Sequence, residues 1–420
     1  MLDLDKWEEI WLTMMNHKLR TALTSFGVFW GIFMLVILLG AGNGLQNGAM
    51  QNFDIAKNAV FVWTMPTAVP FAGFDAGRQI ELSNEDSEAL SQLLEVKTIS
   101  PRLRIANRFG DRALNIVRGN KSVAFNIMGD YPEFLEIKPY ILEEGRFLNE
   151  LDMIGNRKVA VIGLRVRDEL FETDEQVIGK YIRIGGIPFK VVGVFNTRVM
   201  GEQAIQEQQT LHVPLTTAQH MYNLGSRVDW FGFIPADGIT ALDTENAVKD
   251  ILRARHKISP DDRAALGTFN VEQEFREMQG VFSGINGFSW FVAIGTIVAG
   301  MVGVGNIMLI IVKERTKEIG IRKSVGAKPI SIITMIVLEA LAISSFAGYL
   351  GLVSGVALIE GIALMMERFE MQNEFFANPE IDFGVAMSAI GVLMVSGSLA
   401  GLFPGIMAAR VNPVVALRDE

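Results

Sequence analysis

Four long apolar runs punctuate this chain, and the segments between them have the composition of soluble protein. The first run, LTSFGVFWGIFMLVILLGAGNGL, spans Leu23 to Leu45 without a charged residue. As a helix it is about 35 Å long, enough to cross a hydrocarbon core of roughly 30 Å. The second, Ile285 to Val312, is also uncharged. The third, Ile330 to Met366, is interrupted by Glu339 and Glu360. It is too short for two spans and a turn, so it reads as one long or bent helix. The fourth runs from Phe383 to Met407. The pattern predicts an α-helical membrane protein with transmembrane helices at 23–45, 285–312, 330–366 and 383–407. A polar leader of 22 residues precedes the first run, which is too long for the core of a cleaved signal peptide.

Between the runs lie a large insert, 46–284, a short loop, 313–329, and a second short loop, 367–382. The ends are 1–22 and 408–420. In the leader, Leu4, Trp7, Trp11 and Met14 recur at helical spacing, as in a helix lying on the membrane surface. Before the second span, Val271, Phe275, Met278, Phe282 and Ile285 form a heptad-like seam, predicting a stalk helix packed through Phe275, Met278 and Phe282. A weaker stripe, Leu45, Ala49, Phe53, Ala56 and Val60, predicts a second stalk helix after the first span. The insert itself mixes helix and strand. A strand through GRQIELS is followed by a helix from Asn84 to Leu94, with Ser83 as N-cap. Strands are expected at 158–163, 180–185 and 189–195, the last two joined through Gly185-Gly186-Ile187-Pro188. The Gln-rich MGEQAIQEQQT, 200–210, reads as an exposed loop. The fold class is thus four transmembrane helices plus a mixed α+β extracytoplasmic domain.

Charge sets the orientation. Charged residues are 20% of the chain, below the usual quarter or so, and hydrophobic residues are 50%. The 313–329 loop carries Lys313, Arg315, Lys317, Arg322, Lys323 and Lys328, against Glu314 and Glu318. The 367–382 loop carries Glu367, Glu370, Glu374, Glu380 and Asp382, against Arg368. Basic short loops stay in the cytoplasm, so both termini are expected inside and 46–284 outside. A net charge of −9 argues against nucleic acid, and the absence of cysteine excludes disulfides and thiolate chemistry.

Phosphate-binding and hydrolase motifs are missing. There is no G-x-x-x-x-G-K-[ST], H-E-x-x-H or G-x-S-x-G sequence. His17, His212, His220 and His256 lack metal-like spacing, which favours surface or core roles. No cofactor is expected. Glu339 lies within reach of a basic residue of the 313–329 loop, and a structural role is favoured over proton relay. Glu360 is expected near the outer surface. Small residues every fourth position, Ala347, Gly351 and Gly355, then Gly397, Gly401 and Gly405, permit close helix approach within the chain or between copies.

The most informative segment is GVGNIMLIIVKERTKEIGIRKSVGAKP, 303–329. It is a span ending in a short charged helix and a Gly-Ala turn. Glu314, Lys317 and Glu318 make local charge pairs. Ile319 and Ile321 break the polarity and are expected to seat in a partner's groove. This segment closely resembles the permease domain of the MacB/FtsX superfamily of ABC transporters. EEGRFLNELD (143–152), ELFETDEQVIGKYIRI (169–184) and PFKVVGVF (188–195) resemble that family's periplasmic core domain, and FPGIMAARVNPVVALRDE (403–420) resembles its C-terminal ending.

The resemblance implies that the loop is a coupling helix contacting an ATPase through Glu314, Arg315, Lys317, Glu318, Ile319, Ile321, Arg322 and Lys323. It implies a permease and not an enzyme, with a dimer of ABC ATPase subunits binding the ATP. In MacB itself the ATPase shares the chain; here the permease begins almost at once, so a separate subunit is expected. A second permease copy, a periplasmic adaptor and an outer-membrane duct are further implied partners in a bacterial inner membrane. Efflux of small molecules or peptides by mechanotransmission is the expected activity. Lipoprotein extraction, as in the Lol permeases, and signalling to cell-wall hydrolases, as in FtsX, are the alternatives.

Overall fold

The computed structural model describes residues 18–51, 55–105, 114–172, 175–369, 376–377, 379 and 383–413. It divides into two compact units, Ala49–Gly280 and the remainder of the chain. Most of the leader, Phe53 of the second stalk stripe, most of the 367–382 loop and the end of the C-terminal tail lie outside the described residues.

Helix α1, Lys18–Gln51, contains the first apolar run and extends beyond it at both ends. The mixed unit then opens with β1 (Val60–Thr64), β2 (Leu82–Ser83), α2 (Asn84–Ser91) and β3 (Val96–Ile105). The strand expected through GRQIELS is therefore only two residues long, and α2 stops at Ser91, short of Leu94. Its start is where capping chemistry places it. Ser83 is the N-cap, and Asp86 in the first turn reaches back to accept the Ser83 amide at 2.9 Å, the arrangement of a capping box.

Next come β4 (Leu114–Arg118), β5 (Lys121–Asp130), α3 (Phe134–Ile137), β6 (Ile141–Gly145), α4 (Glu150–Ile154), β7 (Val159–Gly163) and α5 (Leu164–Leu170). They are followed by β8 (Tyr181–Ile184), β9 (Ile187–Asn196), α6 (Gly201–Gln208), β10 (Thr210–Pro214) and α7 (Leu215–Met221). The β8–β9 hairpin turns on Gly185 and Gly186, at φ 56° and 86°. A two-residue hairpin turn of this hand needs positive φ at both positions, which glycine supplies without strain. The Gln-rich segment is not a loop: α6 occupies Gly201–Gln208. It is anchored by Glu207, which pairs with Lys138 and accepts a hydrogen bond from Thr197.

The unit closes with β11 (Arg227–Val228), β12 (Trp230–Pro235), α8 (Ala241–His256) and β13 (Leu266–Asn270). Sheet order β13-β1-β12-β3 is antiparallel throughout. With α2 and α8 as the connecting helices, this is the β-α-β-β-α-β arrangement of ferredoxin-like folds. A second lobe is inserted between β3 and β12. Its hydrogen bonds run from β5 through β4, β8, β9, β7 and β10 and back to β5, a closed ring of six strands. Closure removes the free edges that an open sheet exposes. Ile116, Ile127, Ile162, Ile182, Phe189 and Val213 are buried in its core.

The predicted second stalk helix does not form as drawn. Ala56 donates its amide to the Ile137 carbonyl, and Val60 begins β1, paired on both sides by β12 and β13. The β-branched and aromatic run VFVWT prefers that pleated, buried setting to a helix.

The remaining helices are α9 (Val271–Glu314), α10 (Thr316–Ser324), α11 (Pro329–Arg368) and α12 (Phe383–Ala409). The heptad-like seam does fall on helix. Phe275, Met278 and Phe282 are half-buried, while Gln273, Glu274, Arg276, Glu277 and Gln279 are exposed. With α1, the helices α9, α11 and α12 are long and apolar enough to cross a membrane. Their shared core draws Ile32 and Leu35 from α1, Met308 from α9, Ile336 and Ala340 from α11, and Leu393 and Ala400 from α12.

Close approaches rest on small residues. A Cβ on Gly401 of α12 would fall 2.8 Å from both Ala340 Cβ and Val337 Cα of α11. One on Gly351 of α11 would fall 2.5 Å from the Phe29 carbonyl of α1. Gly397 and Gly405 also meet α11, and Gly355 meets α1. Both small-residue stripes are therefore filled by packing within the chain. Pro404 withholds the N–H that would bond the Ala400 carbonyl. Gly305 of α9 lies against that carbonyl, as membrane helices tolerate proline when a neighbour approaches the freed group.

Candidate coupling site

The helix α10 is produced by two local breaks. Arg315 departs from helical backbone angles after Glu314, at φ −95° and ψ 17°, while its amide still bonds the Ile311 carbonyl. At the other end Gly326 adopts φ 101°, a left-handed conformation that a side chain would strain, and Pro329 opens α11. Between them, nine residues form two and a half turns with one face turned inward and one outward.

The inward face is fixed by charge and packing. Arg315 binds Glu318 at 2.8 and 3.0 Å and reaches Glu339 of α11 at 3.5 Å. Glu339 is only 2% exposed. This is the pairing expected of Glu339, a structural one. Glu318 also receives Arg322 at 2.7 Å, and Arg322 lies against the Met335 sulfur. Lys323 donates to the carbonyl of Ala409, the last residue of α12, at 2.8 Å, and to that of Val411 just beyond it, at 2.6 Å.

Ile319 requires a correction. It is 1% exposed and belongs to the core shared by the membrane-spanning helices. It is thus spent inside the chain, and a partner's groove cannot take it. Ile321 is 52% exposed and Val325, four residues on, is 84% exposed. With Lys317, Ser324 and Lys328, also exposed, they form an apolar pair bordered by cations. Glu314 is exposed at the end of α9. The alternation of buried Ile319 and exposed Ile321 follows from helical period, since residues two apart point to opposite sides. Val325 was missed because it follows the polar run; its signal is the i, i+4 spacing from Ile321. Glu360 has an exposed side chain.

A second polar constellation lies in the mixed unit. Asp130, at the end of β5, is ion-paired to Arg102 of β3 and lies 2.5 Å from Nδ1 of His212 on β10. Both Asp130 and His212 are fully buried. Burial alone would push the Asp130 carboxyl up; the Arg102 charge and the His212 hydrogen bond overcome it and hold it at about 2. Burial pushes His212 below its ordinary value, against the pull of Asp130. Four rings, Phe134, Tyr140, Phe147 and Phe195, surround the imidazole at centroid distances of 4.9 to 6.2 Å. His212 is thus a core histidine. Among the described residues no cluster of three or more potential metal ligands occurs.

The described residues thus combine four membrane-competent helices, a two-lobed mixed domain and a short charged loop helix. The profile of the MacB-like periplasmic core domain matches residues 21–251, and that of the FtsX-like permease C-terminal region matches residues 290–413. The chain belongs to this MacB/FtsX-type family of ABC transporter permeases. Among its relatives, the pyoverdine export ATP-binding/permease protein PvdT of Pseudomonas putida is 30% identical over 99% of this chain and 60% of its own length. The macrolide export ATP-binding/permease protein MacB of Rhodospirillum rubrum is 28% identical over 96% of this chain and 58% of its own. The chain therefore spans about 60% of the length of these relatives. The crystal structure of the periplasmic region of MacB from Actinobacillus actinomycetemcomitans is 20% identical, with a TM-score of 0.42 over 54% of this chain and 94% of that one.

Proposed function

We propose that this chain is the permease of an ABC-type exporter and that the outward face of α10 seats on an ATPase. Movement of that ATPase on ATP binding and hydrolysis passes through the membrane helices to the mixed unit, which drives a small molecule or peptide outward. One observation carries this reading. The loop helix holds Ile319, Arg315 and Lys323 inward and presents Ile321 and Val325 outward between Lys317 and Lys328. A loop that merely satisfied topology would need neither a fixed helix nor an exposed apolar pair. The exporter names of PvdT and MacB support the direction of transport. The excess of Lys and Arg in the 313–329 loop supports its cytoplasmic location, with the mixed unit on the other side. Two ATPases acting together call for a second permease copy. A periplasmic adaptor and an outer-membrane duct complete the proposed path.

The test is purification of the tagged full chain from native membranes, with identification of every bound subunit. An ABC ATPase together with an adaptor and a duct supports export. An ATPase with a lipoprotein-processing protein or a cell-wall hydrolase redirects the reading to lipoprotein extraction or signalling. Absence of any ATPase contradicts it.

A further inference from the structure

A helix of nine residues joined to the bundle at its ends alone would deform under load before passing the load on. Three side chains prevent this, two on α10 and that of Arg315 just before it. Arg315 and Arg322 tie the helix to α11, through Glu339 and Met335. Lys323 is different, because it reaches another element. Its ammonium donates to Ala409, the last residue of α12, at 2.8 Å, and to Val411 at 2.6 Å. The last carbonyls of a helix have no partner within it, and they carry the negative end of the helix dipole. A cation placed there satisfies both. Within α12 itself the last turn contains no basic residue. The cap is therefore supplied from the loop helix, 86 residues earlier in sequence.

We propose that Lys323 is a positioning residue that ties α10 to the C-terminal end of α12, so that a displacement imposed on the outward face of α10 moves the last span together with α11. The proposal rests on the reading of α10 as the coupling element. Ala340, Val337 and Ile333 of α11 pack on Gly401 and Gly405 of α12, so the end that Lys323 grips belongs to a closely packed pair. Lys323 closes a triangle: α10 holds α11 by Arg315, α11 holds α12 by its small-residue face, and α12 is held to α10 by Lys323.

Two variants separate the ammonium from the aliphatic stem. Lys323→Met keeps the stem and removes the donors; Lys323→Arg keeps a cation and its donors. The full chain contains no cysteine, so Ser324→Cys and Arg410→Cys introduce a unique pair of spin-label sites in nanodiscs. A single narrow distance distribution is expected for the parent and for Lys323→Arg, and a broadened one for Lys323→Met. In complexes purified from native membranes, Lys323→Met is expected to retain its ATPase at the parental stoichiometry. Its ATP turnover should fall at least about tenfold, the scale set by losing even one of the two charge-assisted hydrogen bonds that Lys323 makes. Lys323→Arg should restore turnover to within about twofold, since the charged donor is kept. If Lys323→Met fails to insert, Lys323→Leu replaces it, since leucine likewise offers no donor. Parental distances, or parental turnover despite broadened distances, overturn the proposal. Failure of the underlying reading looks different: the parent chain then retains no ATPase, and the transmission role of Lys323 falls with it.

Discussion

The Arg315 guanidinium lies 3.5 Å from the Glu339 carboxylate and joins the break before α10 to the buried side of α11. Breaking a buried pair from one side costs about 3–5 kcal/mol, more than neutralising a partner in place. Arg315→Met removes the cation facing a carboxylate that is almost wholly buried. Glu339→Gln keeps the shape and leaves Arg315 its bonds to Glu318. The thermal midpoint of the solubilised chain should therefore fall further for Arg315→Met than for Glu339→Gln, and the double variant should recover part of the loss. Equal losses, or the reverse order, would show that the pair does not hold the loop helix.

Packing of α12 on α11 makes a second prediction. At Gly401 an added methyl meets Ala340 and Val337 at 2.8 Å. Overpacking of this kind costs about 1–3 kcal/mol. At Gly391, on the same helix, nothing lies within 4 Å. Gly401→Ala should lower the thermal midpoint clearly, and Gly391→Ala should leave it unchanged or raise it slightly, because alanine is the better helix former. A harmless Gly401→Ala would mean that the stripe serves something other than contact with α11.

Much of this was legible in the sequence because the signals are local. Long apolar runs announce the spanning helices, and Ser83 as N-cap announces the start of α2. Glu339 was placed near a basic partner by chain distance alone, and Arg315 is that partner. What escaped depends on contacts distant in sequence. The caps that Lys323 places on Ala409 and Val411 join residues far apart in the chain, and no spacing rule reports them. The same holds for Arg102, Asp130 and His212, which come together only when β3, β5 and β10 pair. Ile319 and Ile321 look alike in sequence, and only the inward turn of α10 separates them. The Gln-rich composition of α6 reads as a loop, and the Lys138–Glu207 contact that anchors the helix joins residues distant in the chain.

Buried His212 makes stability depend on pH. Its folded value lies below the ordinary 6.5, so the unfolded chain binds the proton more readily. The stability it contributes is complete above about pH 6.5 and is lost as the pH falls below that value. Asp130, held at about 2 against an ordinary 3.8, contributes stability that is lost only in the lower window between those values. The thermal midpoint of the full chain should decline between about pH 7 and 5, and His212→Gln should flatten that decline while lowering the midpoint at neutral pH. His220 and His256 are unchanged between the two proteins and cancel in the comparison. Parallel pH profiles would contradict the assignment.

Orientation is open to a direct chemical test, since the chain has no cysteine of its own. Gln206 on α6 and Lys317 on α10 are both exposed. A cysteine at Gln206 should react with a membrane-impermeant thiol reagent in intact spheroplasts, and one at Lys317 should react only after lysis. Labelling of Lys317→Cys alone in intact cells would reverse the proposed topology.

If the outward face of α10 holds the ATPase, Ile321 and Val325 are the residues on which binding depends. Ile321→Asp with Val325→Asp places two carboxylates where an apolar contact is proposed and leaves Ile319 and the basic residues of the loop untouched. Burying an uncompensated carboxylate costs several kcal/mol, so about a hundredfold or greater loss of binding is expected. The measurement is recovery of the ATPase with the affinity-tagged full chain from native membranes, with membrane insertion checked separately. The parent chain is expected to retain its ATPase, and the fully inserted double variant to lose it. A fully inserted Ile321→Asp/Val325→Asp chain that keeps its ATPase and its ATP turnover would show that the outward face of α10 does not hold the ATPase.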